Sequence, residues 1–256
     1  MTTLEGMRAV LLAGGIAAAG AAWAGDDLSA ERPDFTDSPS VVGRGTFQLE
    51  GGSTVSRDAY SVGELLARYG VANAAELRLG AGYAGTRGAP GGAPGDVSGF
   101  QDLSLGAKLA LRAGSLGSAL PAIAVIAETT APTGSRELRA TRWQPDVNLC
   151  MAWDLSPAVS LGTSQILGLV DDGQDAAGEW TGSVSLDRSF GSAVGGYLEY
   201  YGTRPLDRES DALHVVNTGI TWGLGHDAQL DARIGTQFSE ADRPAWFVGV
   251  GGARRW

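Results

Sequence analysis

The chain has 256 residues and a formal net charge of −10, with one cysteine, two histidines and 39 glycines. That acidic balance leaves no basic footprint for nucleic acid. Cys150 alone excludes an intrachain disulfide, and His214 with His226 cannot build an all-histidine zinc site, so no metal or cofactor is expected. Glycine at roughly twice its usual frequency argues for strands and turns, because each glycine inside a helix costs about 1 kcal/mol.

Residues 1–24 read as a secretory signal peptide. Arg8 supplies the positive start, AVLLAGGIAAAGA the apolar run, and Ala22-Trp23-Ala24 an A-x-A cleavage site, with Met7 as an alternative start. After it no run approaches the roughly 18 apolar residues a membrane helix needs. Residues 25–44 contain ERPDFTDSPS, which has no strand period, two prolines and an aromatic residue flanked by charge. Two readings are open for this segment. It is an extended leader, or it enters the interior of the fold with Arg32, Asp34 and Phe35 docking on groups there.

From residue 45 to 256 the pattern has period two. Strands are predicted near 45–55, 60–71, 76–86, 100–112, 119–130, 145–155, 158–169, 179–190, 193–203, 212–224, 228–239 and 245–256. Each has about the 9–11 residues of a tilted membrane strand, or slightly more, where strands of globular proteins usually have about 5–6. Connections alternate in length. ANA, RAGSLGS, LSP, GS and GHD are short, whereas RGAPGGAPGDVSG, APTGSRELRATRW, VDDGQDAAGE and TRPLDRESD are long, with SRDA and EADR as short members of the long set. An up-and-down barrel with short periplasmic turns, longer outer loops and both termini in the periplasm produces this alternation. The fold class is therefore an all-β, up-and-down antiparallel transmembrane β-barrel of about twelve strands in the bacterial outer membrane.

Parity separates two faces. Leu103, Leu105, Ala107, Leu109 and Leu111 alternate with Asp102, Ser104, Gly106, Lys108 and Arg112. In a barrel the leucines face lipid and the charges face inward, the reverse of a soluble sandwich. The interior candidates for a solute path are Glu50, Glu64, Arg68, Glu76, Arg78, Asp102, Lys108, Arg112, Glu128, Asp154, Asp187, Glu199 and Arg233. Such charges either pair and close the lumen or line a wet constriction. Twelve strands fall between the filled eight-stranded and the open sixteen-stranded cases, so width does not decide. Trp143, Trp153, Trp180 and Trp222 lie near strand ends, as an aromatic girdle requires, and the last strand closes on Trp256.

Three stretches, ERPDFTDSPS, GFQDLSLGAKLAL and ETTAPTGS, resemble in order and spacing the family named for the meta-pathway of phenol degradation. The resemblance implies an outer-membrane transporter of twelve strands that passes small, aromatic or hydrophobic compounds. The last strand, AWFVGVGGARRW, resembles the C-terminal strand of bacterial outer-membrane barrels, which implies an assembly machinery that reads Trp256; outer-membrane lipid and lipopolysaccharide are the expected surroundings. No catalytic role is carried over.

Other motifs favour bland readings. Gly80, Gly82 and Gly85 match G-x-G-x-x-G, but the alternation runs through them where a dinucleotide site needs a helix start. His214 with Ser183 or Ser185 is the one hydrolase candidate, yet His214 has the outward parity of Val216, Ile220 and Trp222. Asp171, Asp172 and Asp175 lack the full calcium-loop pattern. The expected function is a passive, non-enzymatic channel, with a closed structural or surface-interaction barrel as the first rival and an outer-membrane acyl hydrolase as the second.

Overall fold

A computed structural model describes residues 28–86, 96–171, 176–206, 211–239 and 244–256. The strands are β1 (Phe47–Ser56), β2 (Ala59–Ala72), β3 (Ala75–Thr86), β4 (Val97–Phe100), β5 (Leu103–Arg112), β6 (Ala122–Ala131) and β7 (Gln144–Ser156). They continue as β8 (Val159–Asp171), β9 (Ala176–Ser189), β10 (Val194–Pro205), β11 (Leu213–Gly223), β12 (Ala228–Ser239) and β13 (Ala245–Arg255).

Each strand pairs antiparallel with its neighbours, and β1 pairs with β13 from Gln48↔Arg255 to Ser56↔Phe247, which closes the sheet. Closure removes both edges, the condition under which strands cross a membrane with every ladder hydrogen bond made. β4 and β5 are one stave interrupted at Gln101 and Asp102, so thirteen strands make a barrel of twelve staves. The signal-peptide reading and Asp172 and Asp175 lie outside the described residues.

The barrel is inverted relative to a soluble core. Leu77 is 52% exposed and Ile234 54%, whereas Arg68, Lys108 and Glu76 are fully buried in the interior. Gly80, Gly82 and Gly85 lie within β3, where a side chain at Gly80 would meet Ser104 and one at Gly82 would meet Gln101. Gly80 and Gly82 let inward side chains of the neighbouring stave cross over them. Trp222, Trp246 and Trp256 are outward and more than half exposed, and the Arg254 guanidinium stands 5.3 Å over the Trp256 ring.

The break between β4 and β5 has a physical cause. The Asp102 carboxylate accepts the backbone N–H of Gly134 at 2.6 Å and of Ala140 at 2.8 Å, both in the long loop after β6. Ser135 reinforces the contact, its N–H donating to the Phe100 carbonyl and its hydroxyl accepting the Phe100 N–H, each at 2.8 Å. Gly134 lies so close to the Phe100 and Gln101 backbone that a side chain there would collide. GFQD and PTGS are thus two halves of one latch. Asp171 fastens the same loop from β8, accepting from the Thr141 N–H and pairing with Arg142 at 3.8 Å. Hydrogen bonds to a charged acceptor contribute about 1.5–3 kcal/mol each. Asp102→Ala is therefore expected to raise the rate of tryptic cleavage after the exposed Arg136 or Arg139 at least roughly tenfold in vesicle-embedded protein. An unchanged rate would show that Asp102 does not hold the loop.

Candidate functional site: a plugged lumen

Residues 28–44 run inside the barrel. The segment starts at the short-turn end, where the Leu28 N–H donates to the His226 carbonyl at 2.9 Å. It rises to an apex at Phe35 and Thr36, descends, and leaves beside Gly70, against which Gly43 is pressed. From Ala30 to Val42 every residue is buried. Pro33 and Pro39 lack the N–H a ladder needs, and the segment forms no strand. Irregular backbone at membrane depth is tolerated only where side chains satisfy it, and the barrel wall does this.

Its N–H groups go to wall carboxylates and hydroxyls. Glu31 N–H donates to Glu50 at 2.7 Å, Val42 N–H to Glu76 at 2.7 Å, and Asp37 N–H to the Ser164 hydroxyl at 2.9 Å. Its carbonyls go to wall cations and amides. Arg68 donates to the Ser29 carbonyl at 2.7 Å, Lys108 to that of Ser38 at 2.8 Å, and Arg233 to that of Pro33 at 3.0 Å.

Adjacent side chains of an extended chain point to opposite sides, and here they carry opposite charge. Glu31 faces β2, β3 and β5, meeting Arg68 at 2.9 Å, Arg78 at 3.4 Å and the Lys108 ammonium. Arg68 also forms a two-pronged pair with Glu76 at 2.8 and 2.9 Å and reaches Glu50 at 3.1 Å. Arg78 adds Glu76 at 3.2 Å, Asp37 at 3.3 Å and Glu128 at 3.7 Å. Arg32 turns the other way, to Glu64 at 3.0 Å and Asp231 at 3.3 Å. Its guanidinium lies on Gly52 and Gly251, where any side chain would collide with it. Arg233 joins Glu64 at 3.4 Å and the Thr54 hydroxyl at 2.7 Å.

The apex is held without a cation. Glu199 of β10 accepts the N–H of Phe35 at 2.9 Å and of Thr36 at 2.7 Å, the Thr36 hydroxyl at 2.6 Å and the Asn217 amide at 2.6 Å. The Ser185 hydroxyl donates to Asp34 at 3.0 Å and contacts Asp187 at 3.3 Å. Phe35 stacks on Tyr201, ring centroids 4.3 Å apart. A cavity of about 10 Å³ remains between the segment and β7–β9, lined by Asp34, Asp37, Asp187 and small residues such as Ala152 and Gly162.

The expected interior residues thus divide. Glu50, Glu64, Arg68, Glu76, Arg78, Lys108, Glu128, Glu199 and Arg233 meet the segment or one another, and Asp187 lies beside its apex. Asp102 is on the long-loop rim holding the latch, and Arg112 and Asp154 are half-buried at the short-turn end. Glu31, Asp37, Gln48, Asn148 and Asp231 also belong to the network and lie outside the expected set. For the three wall residues among them the inward parity was the available signal. Glu31 and Asp37 lie in a stretch without periodicity.

Ser183 faces inward to Thr36 at 2.8 Å, whereas His214 is on the outer face, its Nδ1 2.7 Å from the Tyr200 hydroxyl and its ring stacked near Phe238. The wall separates them. Among the described residues no cluster of three or more potential metal ligands occurs.

Breaking one partner out of a buried ion network costs about 3–5 kcal/mol, because the remaining charges stay desolvated. Arg68→Met removes the cation that Glu31, Glu50 and Glu76 share, so urea unfolding in lipid vesicles is expected to show a loss of that size. A loss below about 1 kcal/mol, the range of exposed pairs, would contradict the network.

Solved structures with the same fold were found. An outer membrane channel from Pseudomonas putida F1 superposes with a TM-score of 0.64 at 15% identity, covering 88% of this chain and 99% of that one. The NanC porin gives 0.55 at 8% identity, covering 80% and 98%. The KdgM porin in complex with disordered oligogalacturonate gives 0.54 at 10%, covering 81% and 98%. No curated protein matches the sequence. The family described as MetA-pathway of phenol degradation matches residues 30–253, lumen segment and barrel together. The chain belongs to that family.

Proposed function

We propose that this protein is an outer-membrane channel for passive movement of small solutes, closed in the state described by residues 28–44. The observation that carries this reading is the way the segment is held. It shares one bridge with the sheet, at Arg44 and Gly70, and one backbone hydrogen bond with a turn, at Leu28 and His226, and otherwise stays in the lumen through side chains. It can leave without breaking a barrel ladder.

An exposed apolar exterior supports lipid and lipopolysaccharide as the surroundings, and the family's description supports aromatic or hydrophobic compounds as cargo. Residues 1–24 act as the export signal, residues 25–44 as a periplasmic segment that enters the lumen, and residues 45–256 as the barrel. The terminal strand with Trp256 is the feature offered to the assembly machinery. The protein is not an enzyme in this reading, which rests on Ser183 and His214 facing opposite sides of the wall. A second reading, a barrel closed for good and used as a surface, draws on the density of buried ion pairs.

Planar-bilayer recording separates the two. Arg32→Ala with Glu199→Ala removes one anchor at the glycine floor and one at the apex. Wild type is expected to show rare single-channel steps, and the double variant to be open roughly ten times more of the time. Absence of steps from both proteins would favour the closed barrel.

A further inference from the structure

Inward positions of a membrane barrel are ordinarily polar, and most of this lumen obeys. One level does not. Ile166 of β8, Tyr201 of β10, Val215 of β11 and Phe247 of β13 converge there with Leu213, and the object they surround is Phe35. Phe35 is the lone aromatic residue of 28–44. Its ring lies 20° from parallel to Tyr201, in the stacked arrangement that aromatic pairs favour. The Arg233 guanidinium stands 5.9 Å from the Phe247 ring centroid.

Above this level, towards the long loops, the next inward pair on β9 and β10 is Thr181 and Thr203, their hydroxyls 2.8 Å apart, with Thr203 half-buried. The ion-paired half lies below. A solute arriving from the long-loop end therefore reaches the apolar level before any of the Arg68 cluster. The level is shaped to a single flat ring, because a single flat ring is what fills it.

We infer that Tyr201, Val215 and Phe247 form a binding site for a flat, uncharged aromatic ring, which Phe35 occupies as an internal stand-in. An aromatic solute opens the lumen by taking the place of Phe35. The inference rests on the channel reading and names the ligand class and the trigger of that channel. Displacing the ring and releasing Glu199 are one event, since Glu199 holds the N–H of Phe35 itself and both the N–H and hydroxyl of Thr36.

The protein carries its own reporter of that event. Cys150 is fully buried with Ala124 and Ile126. It pairs in register with Ser164, whose hydroxyl holds the Asp37 N–H, so the segment covers it. In full-length protein in lipid vesicles, the rate at which a water-soluble methanethiosulfonate labels Cys150 reads out displacement. Phenol is expected to raise that rate roughly tenfold, while cyclohexanol, of the same size but puckered, leaves it unchanged. Phe35→Ala is expected to label fast with no solute added. Equal acceleration by both alcohols, or by neither, overturns the ring site, as does slow labelling of Phe35→Ala. Single-channel recording of the same samples keeps the two readings apart. Phenol-specific labelling without conductance steps retains the site and removes the channel, and steps without phenol-specific labelling do the reverse.

Discussion

Glu31 is the residue on which the interior depends. Three cations, Arg68, Arg78 and Lys108, project from three adjacent staves into one fully desolvated region, and Glu31 contacts all three. The wall supplies Glu50 and Glu76 at close range. Removing the segment would leave the cations short of a carboxylate at a depth where an unpaired ion costs several kcal/mol. Lumen and segment are therefore mutually required in the closed state. One residue on, Arg32 does the converse for Glu64 and Asp231, so two consecutive residues of extended chain neutralise adjoining sectors of the wall that share β2.

This arrangement turns the usual distribution of burial inside out. The largest fully buried side chains include Arg68, Lys108, Gln48, Glu31 and Glu50, whereas leucines such as Leu77, Leu105 and Leu109 are outside. Ion networks of this kind give less net stability than an apolar core of equal size, but they are sensitive to every partner. That combination suits a segment that must be held in one position and still be able to leave. Water entering beside a partly displaced segment solvates charges rather than apolar surface, so the open state is not penalised as an exposed leucine core would be.

Much of the barrel was legible because period two, strand length and loop parity all point the same way. The strand limits agree with the alternation to within three residues. The exception is the stretch 100–112, where alternation continues across Gln101 and Asp102 but the stave is broken. Its cause is a carboxylate gripping amides more than thirty residues away, a contact that no local pattern encodes. For the candidate site, parity gives the side of the wall and not the height. Arg68, Glu76, Arg78 and Lys108 have inward parity and mid-barrel height, so they meet the segment. Asp102, Arg112 and Asp154 share the parity but sit near stave ends, where rim loops and turns are the neighbours. Glu31 and Asp37 lay hidden because an aperiodic, proline-containing stretch offers no face to read. Its dense charges, E-R-x-D-x-x-D, were the signal available.

The central claim is that residues 28–44 are a removable closure, and a reversible cross-link tests it most directly. The Thr36 and Ser183 hydroxyls are 2.8 Å apart, joining the apex of the segment to β9. In a Cys150→Ser background, Thr36→Cys with Ser183→Cys places two thiols at that contact. The account predicts no single-channel steps under oxidising conditions and their return within the same bilayer after reductant is added. Equal conductance before and after reduction would contradict it, because a closure fastened to the wall must block whatever passes through the lumen.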